Sequence, residues 1–94
     1  MDYKDRRFNP EIAAIARKKM SEFLVIRRKE LGLSQQDLAL IAGLRRPTIT
    51  DIESGKINFS FDTFIAILGS LRCEMKIETK DIDSIPGYEK TNSN

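Results

Sequence analysis

Few side chains in this sequence can do covalent or proton-transfer chemistry. Its 94 residues include no His and a single Cys, so the usual proton shuttle and the commonest metal ligand are both missing. Cys73 has no neighbouring base to activate its thiol. Asp81 and Asp83 form a close carboxylate pair, but they read as part of an acidic tail. No catalytic residue, metal ligand or cofactor is therefore expected. What remains is recognition chemistry. Arg45 and Arg46 stand side by side, and a guanidinium forms two parallel hydrogen bonds to a planar pair of acceptors. Thr50 adds a hydroxyl and a methyl group, and Asp51 adds an acceptor, four and five residues beyond Arg46.

Two short helices must position these groups. Ser34 reads as an N-cap whose hydroxyl accepts from the amide of Asp37 or its neighbour, and Asp37 puts negative charge in the first turn. Leu38, Ile41 and Ala42 recur at helical spacing. Gly43 ends that helix, because glycine tolerates the left-handed conformation after a last turn. Pro47 falls in the first turn of the next helix, where its missing amide costs little. Ile49 and Ile52 form the inward stripe of this second helix, and Gly55 closes it. Arg46, Pro47, Thr50 and Asp51 are left on the opposite side, with Arg45 at the helix start. So tight a pairing matches a helix-turn-helix unit.

Longer elements flank the unit. Asn9-Pro10-Glu11 reads as cap, first helical residue and favourable first-turn charge, and no proline or glycine follows before Leu31. One helix of about 22 residues, roughly 33 Å, fits this stretch. A break between Lys18 and Ser21, giving two helices, also fits. Ile12, Ile15, Ala16, Met20, Phe23 and Leu24 supply its apolar stripe, with Ile26 and Leu31 near the end. The expected role of its extra turns is to cover the core; packing across a dimer or against another protein is the alternative. Ser60 caps a further helix from Phe61 to about Leu71, with Phe61, Phe64, Ile65, Leu68 and Leu71 facing the core. Cys73, Met75, Ile77 and Thr79 then alternate with Glu74, Lys76, Glu78 and Lys80, the period-two pattern of a half-buried strand. A lone strand leaves its backbone unsatisfied, so pairing with the same strand of a second subunit is expected, with a frayed extension of the preceding helix as the alternative. The divisions are a flexible start at 1–8, a helical domain at 9–72, a dimerisation strand at 73–80 and a flexible tail at 81–94.

Composition is consistent with one small domain. A lone thiol and the absence of a signal-like segment fit a reducing cytoplasm, and no apolar run is long enough to span a bilayer. Residues 1–56 hold 12 basic and 8 acidic side chains, against 4 and 6 in residues 57–94. The first half, at +4, suits a partner bearing phosphates.

Arg28, Leu31-Gly32-Leu33-Ser34-Gln35, Leu38-Ala39, Gly43, Thr48-Ile49, Glu53-Ser54-Gly55-Lys56 and the Phe61-to-Leu71 helix occur in a telling order. This segment, about half the chain, resembles the DNA-binding domain of the Cro and phage-repressor group of bacterial regulators. The resemblance implies a mainly α, lambda-repressor-like helix-turn-helix bundle, here with one C-terminal β-strand pairing across a homodimer. It implies that Arg45, Arg46, Pro47, Thr50 and Asp51 meet base edges in the major groove of double-stranded DNA, on an inverted-repeat operator. An arginine there suits guanine O6 and N7, Thr50 a thymine methyl, and Asp51 a cytosine amino group. Pro47 departs from the polar residue that many relatives carry, which limits contact at that step to apolar groups. Gln35, Thr48, Lys56 and Asn58 are the implied phosphate contacts, and Arg28 and Glu53 the internal ion pair. The C-terminal alternation resembles HipB-type antitoxins, which implies a repressor of its own operon that also restrains a toxin, often a kinase-like protein such as HipA. A stand-alone phage-type or restriction-controller regulator without a toxin is the alternative.

Overall fold

A computed structural model describes residues 9–56 and 59–79. Its elements are α1 (Pro10–Glu30), α2 (Gln35–Ala42), α3 (Arg46–Glu53) and α4 (Phe61–Ser70), with no strand among the described residues. The expected flexible start at 1–8, Asn58, the end of the expected strand at Lys80 and the tail at 81–94 lie outside them.

Local chemistry sets the helix ends. Asn9 Oδ1 accepts from the Glu11 amide at 2.9 Å, and Pro10 opens α1, which runs unbroken for 21 residues. Gly32, at φ +70°, turns the chain from α1 into α2. Ser34 Oγ accepts from the Asp37 amide, while the Ser34 amide donates to Asp37 Oδ2, both at 2.9 Å. The Ser34 amide, and then its hydroxyl, hold the Asp37 carboxyl below its ordinary pKa. A carboxylate depressed in the folded state stabilises the fold above its unfolded pKa of about 3.9, and that contribution fades as pH falls through the lower folded value. Asp37→Ala is therefore expected to lower Tm at about pH 7 and to lose most of this effect at about pH 2. Thermal melts at the two pH values check it, and equal Tm losses at both would contradict it.

Gly43, at φ +70°, ends α2, and the Leu44 amide donates to Ala39 O at 2.8 Å. Arg45 stands at the N-cap of α3 without a side-chain capping bond, and Pro47 occupies the first turn. Ser60 Oγ accepts from the Thr63 amide to start α4. Beyond α4, Arg72 takes the left-handed conformation at φ 57°, and the Cys73 amide returns to Leu68 O at 2.8 Å. Arg27 Nε donates to Leu71 O at 3.0 Å, which ties this turn to α1.

Leu24, Leu38, Ala39, Ile49, Ile52, Ile67, Leu68 and Leu71 form the buried core, with Met20, Leu31 and Phe64 packed around it. Several residues expected inside are outside. Ile12, Ile15, Ala16, Phe23 and Ile26 on α1 are exposed, as are Ile41 on α2 and Phe61 and Ile65 on α4. The reason on α1 is rotation as well as length, since Phe23 and Ile26 share the turns of Leu24 and Arg28 but lie on the other side of the helix. At 1.5 Å per residue it spans about 31 Å, whereas the eight-residue α2 and α3 each span about 12 Å. Its buried positions are Ser21, Leu24 and Arg28, on a face turned away from Ile12 and Ile15. On α2, Ala39 at 0% exposure takes the inward place given to Ile41; on α4, Ile67 does the same. Residues 73–79 form no ladder with the other described residues. Cys73 is half-buried there, while Met75, Ile77 and Thr79 are exposed.

Candidate nucleic-acid interface

The candidate surface starts from two isoleucines. Ile49 and Ile52 are 0% and 1% exposed, which fixes the rotation of α3 about its own axis. Arg46, Pro47, Thr50 and Asp51 consequently face solvent, with Arg45 exposed at the helix start. Four of these, Arg46, Pro47, Thr50 and Asp51, line one shallow depression together with Gln35 from the start of α2. Thr48 is half-buried on the flank of α3, and Lys56 is exposed just past its end. Asn58 lies outside the described residues.

Behind the depression, polar side chains lock three helices together. Arg28 Nε donates to Glu53 Oε2 at 2.6 Å and its Nη2 to Glu53 Oε1 at 3.0 Å, a two-pronged pair. The side chains are only 10% and 7% exposed. Arg28 Nη1 also donates to Leu33 O at 2.7 Å, so the guanidinium is satisfied on three sides. The hydrogen bond to Glu53 raises the Arg28 pKa above its already high ordinary value, against the opposing effect of burial, and charge attraction to Glu53 adds to the rise. Gln35 Nε2 donates to the same Glu53 Oε1 at 3.0 Å, and Thr50 Oγ1 lies 3.3 Å from Gln35 Oε1 and 3.2 Å from Arg46 O. A continuous path of hydrogen bonds thus runs from α1, through the end of α3 and the start of α2, to the exposed face of α3.

A second support was not visible in the sequence. Ser21 is 4% exposed, and its hydroxyl donates to Ile52 O at 2.6 Å, clamping α1 against the last turn of α3. Gly55, at φ +73°, lies beneath it; an added Cβ would sit 3.6 Å from Ser21 Oγ and 3.8 Å from Lys18 Cα. The available signal was positional, since Ser21, Leu24 and Arg28 share one face of α1 at i, i+3 and i+7. The tie from Gln35 to Glu53 had no such signal, because it joins residues of different helices.

The surface as a whole offers hydrogen-bond donors, an acceptor and apolar groups on one convex rod. No group of metal-ligating side chains occurs among the described residues, and none of their helices is long and apolar enough to cross a membrane. The rod and its supports place the molecule in a recognisable class. Residues 24–77 match the helix-turn-helix family, and the chain belongs to it; it is a DNA-binding domain of that class. An uncharacterized HTH-type transcriptional regulator of Haemophilus influenzae is 35% identical over 48 residues, 51% of this chain and 49% of that protein. The chain thus aligns with about half the length of that relative.

Proposed function

We propose that this protein is a dimeric, sequence-specific transcriptional repressor that reads an inverted-repeat operator with the outer face of α3. The observation that carries this reading is the depression that joins Arg46, Pro47, Thr50 and Asp51 to Gln35, above a buried ion pair that holds α3 in place. Arg46 pairs with a guanine edge, Thr50 and Pro47 supply apolar contact, Asp51 accepts from a cytosine amino group, and Arg45 reaches the adjoining step. Gln35 gives one amide hydrogen to Glu53 and turns the other to a phosphate at the start of α2, where helix amides attract anions. Thr48, Lys56 and Asn58 hold the flanking backbone. Cytoplasmic action follows from such a target.

Arg46→Ala is expected to cost about 1–3 kcal/mol of operator binding and to relax selection at one base step. Titrating wild-type and variant protein against a panel of singly substituted operators measures both effects. Unchanged affinity with unchanged base preference would remove Arg46 from the reading face. Footprints of the wild type are expected to show two half-sites centred about 34 Å apart, one turn of the duplex.

The alternation of Cys73, Met75, Ile77 and Thr79 supports pairing of this segment with its counterpart in a second subunit. Its likeness to HipB-type endings favours a further role, as antitoxin of a type II toxin–antitoxin pair that represses its own operon and neutralises a kinase-like toxin. Co-expression with the product of the adjacent gene tests that role. Growth rescue and co-purification are expected, and an adjacent gene whose product is harmless alone leaves a stand-alone phage-type or restriction-controller regulator.

A further inference from the structure

We propose that the outer face of α1 is a two-fold seam, packed against α1 of a second copy of this chain. The inference rests on the dimeric reading above and extends the contact from residues 73–79 to the helix. Ile12, Ile15, Phe23 and Ile26 lie along one side of α1 and are 55%, 56%, 48% and 60% exposed. The core meets α1 elsewhere, at Ser21, Leu24 and Arg28. Ile12, Ile15 and Phe23 also precede residue 24, where the match to the helix-turn-helix family begins. The shared domain therefore gives this face no task.

Its spacing identifies the occupant. Ile12 and Ile26 stand seven residues to either side of Lys19, and Ile15 and Phe23 stand four. Two identical helices crossing antiparallel at Lys19 set Ile12 against Ile26 of the second copy and Ile15 against its Phe23. A two-fold axis demands such self-complementarity, whereas an unrelated partner does not. The charges obey the same symmetry. Glu11, Lys18, Glu22 and Lys29 are exposed along one flank of α1. The crossing brings Glu11 towards Lys29 of the second copy and Lys18 towards its Glu22, each an opposite-charge pair.

Area requires the helix and the C-terminal segment together. Phe23 lines the same groove as Cys73 and Met75, so the helix face runs on into residues 73–79, where Met75 and Ile77 are 41% and 85% exposed. At on the order of 100 Å² for each exposed side chain, α1 alone offers ~400 Å² and the joint surface ~600 Å², against ~800 Å² per partner in a specific interface. One axis serves both parts, because Lys19 and Met75 border one groove. The cost is the approach of the Lys18 and Lys19 ammonium groups of both copies near that axis, which the Glu22 carboxylates offset only in part.

A cross-link tests the seam in the full chain. Lys19→Cys in a Cys73→Ser background places a thiol at the crossing point, where two copies come within disulfide reach. Ala14→Cys, exposed on the opposite side of α1, is the control. Under mild oxidation the Lys19→Cys protein is expected to run mostly as a linked dimer, and the Ala14→Cys protein as a monomer, on non-reducing gels. Lys19→Leu, in the otherwise native chain, is expected to lower the dimer dissociation constant several-fold, a gain that misfolding does not imitate. Equal linking of the two cysteine variants, or no tightening by Lys19→Leu, overturns the seam. Ile77→Lys separates the two parts. Its dissociation, alongside failed cross-linking at Lys19, leaves the strand dimer and removes the seam; an intact Ile77→Lys dimer that still cross-links through Lys19→Cys does the reverse.

Discussion

Glu53→Gln is expected to destabilise the fold by about 3–5 kcal/mol, a large fraction of what a domain of this size has. The glutamate side chain is 7% exposed and accepts from Arg28 Nε, Arg28 Nη2 and Gln35 Nε2. A neutral amide in its place leaves the Arg28 guanidinium buried beside a group that no longer balances its charge. It also turns an amide nitrogen, which cannot accept, towards one of those donors. The penalty comes from the orphaned cation and exceeds the value of the pair itself. Arg28→Met/Glu53→Leu, which removes both charges and keeps the volume apolar, is accordingly expected to recover most of the loss. Urea unfolding of the single and double variants at one protein concentration measures this. A double variant as unstable as Glu53→Gln would show that the pair stabilises by its own attraction. Operator affinity is a separate readout. The double variant refolds without the path from α1 through Glu53 to Gln35 and Thr50, so weaker DNA binding at restored stability would assign that path to positioning α3.

The sequence spelled out the reading unit more clearly than its surroundings, for physical reasons. Ser34, Gly43, Pro47 and Ser60 act within one turn of their own position, so caps and turns were legible from neighbouring residues alone. Ile49 and Ile52 were equally plain, because a short helix with two large apolar residues three apart has one face to bury. The side of α3 opposite them followed directly. On α1 the same reasoning held for Leu24, Met20 and Leu31 but not for the rest of the stripe, since that helix carries apolar residues on two sides. The one that enters the core contains Ser21, which looks like a surface residue until Ile52 O is brought to it, and Arg28, whose pair with Glu53 was legible only through the family resemblance. The outward side, with Ile12, Ile15, Phe23 and Ile26, is the more hydrophobic in sequence and attracted the assignment to the core. Periodicity reveals that a face is apolar, but which face is covered depends on where the neighbouring helices lie. Gln35 shows the converse. Its place at the start of α2 was legible, whereas the bond from its side chain to Glu53, at the last position of α3, was not.

Ile49→Ala is expected to cost about 2–5 kcal/mol, while Ile41→Ala should stay within about 0.5 kcal/mol of the wild type. Both remove the same three carbons, so the contrast isolates burial. Ile49 is 0% exposed beneath α3 and touches the core that α2 and α4 share; its truncation removes transfer energy and leaves a cavity. Ile41, at 57% exposed, is in water before and after the change. Sequence periodicity placed both inside. Equilibrium denaturation of the two variants at matched concentration therefore tests how α2 is turned relative to the core. Equal losses would mean that α2 is rotated so that Ile41 enters the interior and Ala39 leaves it. That rotation would carry Gln35 along with it, away from Glu53 and Thr50, and dismantle the surface that α3 presents. The rotation of this short helix thus decides whether Gln35 reaches Glu53 and Thr50 behind the exposed face of α3.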